Sequence, residues 1–257
     1  MDAQMNGKTV VITGASRGIG AATARHMAQR GAYVFLAARS TGPIEAIASE
    51  IRATGGKAEA IACDVSSQAQ VAALITTAKE KTGRLDVLVN NAGVIDPITR
   101  LADSDPEAWG KVVDINLKGV YYGMRYAIPE MLANGGGTII NISSGAATGA
   151  LEGWSHYCAT KAAVLSLTRM GHKEYGPEGI RVVGLSPGTV ATEMQVQIKA
   201  SGINPVSALE WADHIPPEWV AQTIEFLCGE GGDGYLGTDF SLKTNEGRAA
   251  VGLPSIA

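Results

Sequence analysis

The stretch Lys8–Thr13 (KTVVIT), running directly into Gly14, Ala15, Ser16, Arg17, Gly18, Ile19 and Gly20, decides the fold. The β-branched run is too short for a helix and apolar enough to be covered on both faces, so it reads as a buried strand. Glycines at a strand-to-helix turn permit a tight bend. They also let backbone N–H groups and the N-terminus of the next helix face an anionic pyrophosphate. The spacing is G-x3-G-x-G, not the commoner G-x-G-x-x-G, and no Gly-Lys-Ser/Thr follows, which disfavours a mononucleotide P-loop. Glycines that merely turn the chain would look the same, so the turn needs support from elsewhere.

Outward from it, short strands alternate with Ala-rich segments of helical period. Tyr33–Ala38, Lys57–Ala62, Asp86–Asn90, Thr138–Ser143 and Ile180–Ser186 read as strands. Helices are expected over 19–30, 41–54, 67–82, 105–133, 155–175 and 216–228. Such alternation implies a parallel sheet with right-handed crossovers. The expected class is α/β, a Rossmann-type doubly wound sheet of about seven strands with helices on both faces. No linker composition interrupts it, so residues 1–257 are expected to form one catalytic domain. Asp103, Ser104 or Asp105 before Pro106 supplies a cap for the fourth helix. The Gly/Pro-broken amphipathic stretch 191–216 suits a cover over a pocket, or an ordinary surface helix pair.

The chain has 257 residues, 46% hydrophobic, with 21 Lys plus Arg against 25 Asp plus Glu. That apolar fraction supports a buried core, and no basic stripe points to nucleic acid. No apolar run is long enough for a membrane span and no leader pattern opens the chain, so a soluble cytoplasmic protein is expected. Cys63, Cys158 and Cys228 are scattered, which supports neither disulfides nor a zinc ribbon, and the four histidines lack ligand spacing. No metal is expected.

Three features strengthen the dinucleotide reading. The second strand ends Ala37-Ala38-Arg39, where an acidic residue would bind ribose hydroxyls and select NAD. Arg39, with Arg17 from the turn, instead suits a 2′-phosphate, so NADP(H) is the preferred cofactor and NAD(H) a possible one. Asp64 and Val65 end the third strand, where the carboxylate would meet the adenine amino group or else cap a turn. Asn91, Ala92 and Gly93 follow the fourth strand and would sit beside the cofactor, bracing the sheet.

Tyr157 and Lys161 stand at i and i+4, on one face of a helix. A phenol of ordinary pKa must come down by roughly 3 units, about 4 kcal/mol, to transfer protons near neutral pH. Lys161 and an oxidised nicotinamide would share that task. The turn Thr13–Gly20, Asn90–Gly93, Asn116, Ser144, Tyr157, Lys161 and Pro187-Gly188 together resemble the short-chain dehydrogenase/reductase family across about residues 6–240.

The resemblance implies Tyr157 as general acid in reduction and base in oxidation, and Lys161 as the group that lowers its pKa and binds the nicotinamide ribose. It implies Ser144, in preference to Ser143, as holder of the substrate oxygen, and Asn116 as holder of a relay water. Pro187, Gly188, Val190 and Thr192 resemble the loop on the carboxamide side of nicotinamide. Leu151, Trp154 and Met194, with Val94, Ile95 and Ile198, would border an apolar or aromatic ketone. His156, next to Tyr157, points about 100 degrees away on a helix.

The expected function is NADP(H)-dependent reduction of a small carbonyl substrate to an alcohol, as in carbonyl and 3-oxoacyl-[acyl-carrier-protein] reductases. The alternatives are an NAD-dependent alcohol or polyol dehydrogenase and a non-catalytic NADP-binding regulator. The family resemblance also implies a homo-oligomer, dimer or tetramer, packed through helices 105–133 and 155–175. The C-terminal stretch Gly237–Gly247 departs from the family's usual hydrophobic strand and Asp-Gly-Gly ending.

Overall fold

The structure, a computed structural model, describes residues 5–256. Seven parallel strands are β1 (Thr9–Thr13), β2 (Tyr33–Ala38), β3 (Lys57–Ala62), β4 (Val87–Asn90), β5 (Gly137–Ile142), β6 (Ile180–Ser186) and β7 (Asp239–Ser241). Their order is β3-β2-β1-β4-β5-β6-β7, so the chain runs outward from β1 one way and then returns to add strands the other way. The reversal lies between β1 and β4, paired from Val10 opposite Val87 to Ile12 opposite Val89. In open α/β sheets that switch point, at the carboxyl ends of the strands, is where ligands bind.

Two apolar layers flank the sheet. On one face α1 (Gly18–Gln29), α2 (Thr41–Ala53) and α8 (Pro217–Cys228) cover Val10, Ile12, Val34 and Leu36. On the other, α3 (Gln68–Thr82), α5 (Gly119–Ala133) and α6 (Ser155–Tyr175) cover Val11, Phe35, Leu88 and Ile139. Alternate strand residues therefore feed opposite layers, as the pleat requires. The central strands are buried throughout, but edge strand β3 exposes Lys57 and Ala62 and is not covered on both faces.

The expected helix 105–133 is one rod with a defect. It comprises α4 (Pro106–Val113), a π-helical turn at Asp114–Lys118, and α5. Asp105 is the cap, accepting from Ala108 N at 2.7 Å, with Pro106 in the first turn. Residues 191–216 form no long helix. They make α7 (Glu193–Ser201) and short 3-10 turns at Pro205–Ala208 and Trp211–Asp213. The ends of this flap are pinned together, with Ile215 N donating to Thr189 O at 3.0 Å and Ala191 N donating to Ile215 O at 2.9 Å. A final short helix, α9 (Asn245–Ala250), follows β7.

Candidate active site

The β1–α1 turn is held by its neighbours before any ligand is considered. Thr13 Oγ1 accepts from Asn91 N at 3.0 Å and from Ala92 N at 3.1 Å. Asn91 Nδ2 donates back to Thr13 O and Gly14 O, fastening β1 to β4 at the switch point. Gly14 and Gly18 both have positive φ, and a Cβ on Gly18 would lie 2.9 Å from Thr192 Cγ2. Gly20 is buried behind the turn and does not face the cleft. A Cβ there would come within 2.4 Å of Gly14 O, so close strand-to-helix packing excludes a side chain.

A cleft of about 880 Å³ opens over these strand ends. It is lined by Gly14, Ser16, Arg17, Gly18 and Ile19 from the turn, by Arg39, Asp64 and Val65, and by Asn91, Ala92 and Gly93. Pro187, Gly188, Val190 and Thr192 close its far side, and Ser144, Tyr157 and Lys161 form its floor. Arg17 and Arg39 are exposed, and neither forms a salt bridge among the described residues. Asp64 Oδ1 is partly used locally, accepting from Ser66 N at 3.0 Å and Ser66 Oγ at 2.7 Å. Those bonds hold its carboxyl below the usual range against the opposing effect of burial, and Arg39 adds to the lowering.

Tyr157 and Lys161 sit one turn apart on α6, both buried. Lys161 Nζ donates to Ile142 O at 2.6 Å and lies 5.5 Å from the centre of the Tyr157 ring. Burial pushes the Tyr157 phenol up to about 12, with the Ser144 hydroxyl pulling the other way, and brings Lys161 down to about 8. Both shifts have one main cause, the cost of charge in a dry site, so these residues alone raise the phenol where the resemblance implied a lowering. Ser143 Oγ donates to Asp239 Oδ2 at 2.7 Å, whereas Ser144 accepts only from Ala146 N at 3.1 Å and is partly exposed to the cleft. The two serines are thus told apart by their partners.

Asn116 lies in the π turn, outside the cleft lining. Its amide is engaged locally: Oδ1 accepts from Val94 N at 2.9 Å, and Nδ2 donates to Val94 O at 2.8 Å and to Thr160 Oγ1 at 3.5 Å. A π-bulge often marks a functional position, and here it turns the helix toward the loop after β4. His156 is buried, is not among the residues that line the cleft, and has its pKa lowered by burial.

An apolar cluster surrounds the phenol. Ile95, Ala146, Trp154 and Ile198 pack around Tyr157, with Leu151, Met194 and Val206 against them. Trp154 meets Tyr157 edge to face at 5.6 Å and 76°. Val206, from the stretch 191–216 expected to cover a pocket, reaches the cluster from a four-residue 3-10 turn. Sequence reasoning missed Lys243, which lines the cleft from just beyond β7.

The short chain dehydrogenase family model matches residues 8–202. The chain is 32% identical to cyclohexanol dehydrogenase of Acinetobacter sp. (strain SE19), over 93% of this chain and 95% of that protein. It is 37% identical to 3-oxoacyl-[acyl-carrier-protein] reductase of Synechocystis sp., over 90% and 93% respectively. A crystal structure of a short chain dehydrogenase from Mycobacterium smegmatis superposes with a TM-score of 0.81 at 32% identity, covering 94% of this chain and 93% of that one. Among the described residues no helix is long and apolar enough to cross a membrane. The chain belongs to the short-chain dehydrogenase family, NAD(P)(H)-using oxidoreductases that act on alcohol and ketone groups.

Proposed function

We propose that the protein reduces a ketone or aldehyde reversibly with NADP(H), passing the proton through Tyr157. The observation that carries this reading is a single cleft with Arg17 and Arg39 at the glycine-turn end and Ser144, Tyr157 and Lys161 at the other. When bound, the dinucleotide supplies the hydride. The backbone of Arg17, Gly18 and Ile19, at the N-terminus of α1, suits its pyrophosphate. The two guanidiniums, without a salt bridge among the described residues and with no carboxylate at the end of β2, suit a 2′-phosphate.

The chain's own residues do the remaining work. Ser144 Oγ would donate to the substrate oxygen, and Tyr157 would give that oxygen a proton in reduction or take one in oxidation. Lys161, kept cationic at neutral pH, would stabilise the phenolate across the short gap to the ring. Asn116 would position Val94 and leave any water link to Lys161 to its backbone carbonyl. Leu151, Trp154 and Met194 would exclude water around the reacting carbon, and the pinned flap 191–215 would cover it, with Trp211 and Val196 exposed on its outer side. Tyr121 and Met170, large and exposed on α5 and α6, support a homo-oligomer formed through those helices.

An NAD-dependent dehydrogenase working in the oxidative direction is the second reading, favoured by the cyclohexanol dehydrogenase relative. Steady-state turnover of a ketone and alcohol panel with both cofactors tests the choice. NADPH consumption on ketones should exceed NADH consumption, and equal or reversed rates would overturn the cofactor assignment.

A further inference from the structure

Lys243 is the cation that the proposed chemistry does not use. It follows β7 and Leu242, in the part of the sequence where the family's usual ending is absent. Its backbone is fixed on both sides: Leu242 N donates to Ser186 O at 3.0 Å, and Lys243 N donates to Ser241 Oγ at 3.2 Å. Thr244 then caps α9, accepting from Gly247 N at 3.0 Å. The stem lies along Gly188, where a Cβ would come 3.0 Å from Lys243 Cγ. The amine ends beside Gly145, 3.5 Å from where a Cβ would sit. Gly145 is the residue after Ser144, and Gly188 belongs to the loop on the nicotinamide side. The ammonium is therefore carried to the reacting end of the cleft, away from Arg17 and Arg39.

Among the described residues no acid forms a salt bridge with it, the cleft-lining carboxylates Asp64, Asp96 and Glu193 included. Lys243 is exposed at the cleft, and Lys161, buried, adds a second positive charge to the same lining. A low-dielectric cleft focuses that field, so an anionic group entering beside Ser144 is favoured and a second cation is disfavoured. The wall opposite, made by Leu151, Trp154 and Met194, is apolar.

We infer that Lys243 is a specificity-determining residue, and that the substrate joins an apolar body to a carboxylate that pairs with its ammonium while the carbonyl faces Ser144 and Tyr157. This deepens the carbonyl-reductase reading and rests on it. A lysine amine is a compact point charge, suited to a carboxylate approaching from one side without the forked geometry an arginine imposes.

Direct binding separates this inference from turnover. The protein saturated with NADP+ is titrated by calorimetry with 4-oxocyclohexanecarboxylate and with its methyl ester, for the native chain, Lys243→Met and Lys243→Arg. The native chain should bind the carboxylate at least 10-fold tighter than the ester. Lys243→Met should abolish most of that ratio, and Lys243→Arg, which keeps the charge, should retain most of it. A native chain with no preference for the carboxylate overturns the inference, as does a Lys243→Met variant that keeps the ratio within twofold. Turnover of the ester with NADPH is read in parallel. Its absence counts against the reductase reading, while the binding ratio still decides Lys243.

Discussion

Lys161 Nζ stands 5.5 Å from the centre of the Tyr157 ring while it donates a hydrogen bond to the Ile142 carbonyl at 2.6 Å. The ammonium is thus held by the backbone of β5 and faces the phenol from a fixed point. Removing the phenolic hydroxyl leaves that frame in place, so Tyr157→Phe isolates proton transfer from folding. General acid–base catalysis by one positioned group contributes roughly 10²- to 10⁴-fold. Ketone reduction by Tyr157→Phe should fall by that order with an unchanged denaturation midpoint. Full activity in the variant would remove Tyr157 from the mechanism.

The same pair should leave a signature in stability against pH. Burial brings Lys161 down to about 8, below its unfolded value near 10.4, so between these limits the unfolded chain holds more protons. Stability contributed at this residue therefore rises with pH across that window. Tyr157, pushed up to about 12, works in the opposite sense above its ordinary value of about 10, where the folded chain holds the extra proton. Urea midpoints between pH 8 and 10 should show a gain in the native chain that Lys161→Met lacks. Parallel profiles for the two proteins would show that Lys161 does not titrate as a buried amine.

Cofactor choice turns on a charge beside β2. Arg39 is exposed, has no salt-bridge partner among the described residues, and lies near the Asp64 carboxylate. A hydrogen bond to a charged group contributes about 1.5–3 kcal/mol, roughly 10- to 100-fold in affinity. Arg39→Asp should lower kcat/KM for NADPH relative to NADH by that factor, and by more when combined with Arg17→Ala. An unchanged ratio in both variants would place the selecting group elsewhere.

How much of this was readable in sequence depends on how many residues each feature needs. β2 and β6 announce themselves by runs of β-branched and apolar residues, and α6 by a long helical period, and their ends match the structure. β7 needs only Phe240 buried on a three-residue edge strand, so Asp239 and Ser241 hide it. The π turn around Asn116 leaves no mark in composition, since it changes a hydrogen-bond step and no residue type. Lys243 enters the cleft because β7 and α9 place it there, a contact at long sequence separation that no local pattern contains. The glycines divide similarly. Gly18 faces the cleft, whereas Gly20 serves the packing of the turn against Asn91, a distinction that spacing alone does not carry.

That distinction gives a paired stability test. A Cβ on Gly20 would lie 2.4 Å from Gly14 O, 2.7 Å from Asn91 Nδ2 and 2.8 Å from Ala15 Cα, so mainly backbone must move. Overpacking of this kind costs about 1–3 kcal/mol. Gly110, inside α4, has no atom within 4 Å of its would-be Cβ and has no positive φ. There the extra methyl reduces the freedom of the unfolded chain, which favours alanine by up to about 1 kcal/mol. Gly20→Ala should therefore lower the urea midpoint and raise the KM for NADPH, and Gly110→Ala should raise the midpoint with KM unchanged. Similar midpoints for the two variants would mean that the turn yields more easily than its contacts with Gly14 and Asn91 imply.

Asn116 offers the last test, because its side chain makes two hydrogen bonds to a single residue, Val94, from inside the π turn. Asn116→Ala would leave the Val94 N–H and carbonyl without their buried partner, at about 1–3 kcal/mol for each group left unpaired. Asn116→Asp keeps the acceptor for Val94 N but turns the donor to Val94 O into a repelling oxygen, so it should be at least as damaging near neutral pH. If Asn116 acts only by holding this loop, both variants should lose stability and raise the KM for ketone while the pH profile of kcat keeps its shape. If its backbone carbonyl also holds a water that passes protons to Lys161, the altered turn should in addition shift that profile. Measuring kcat against pH for both variants separates the two roles.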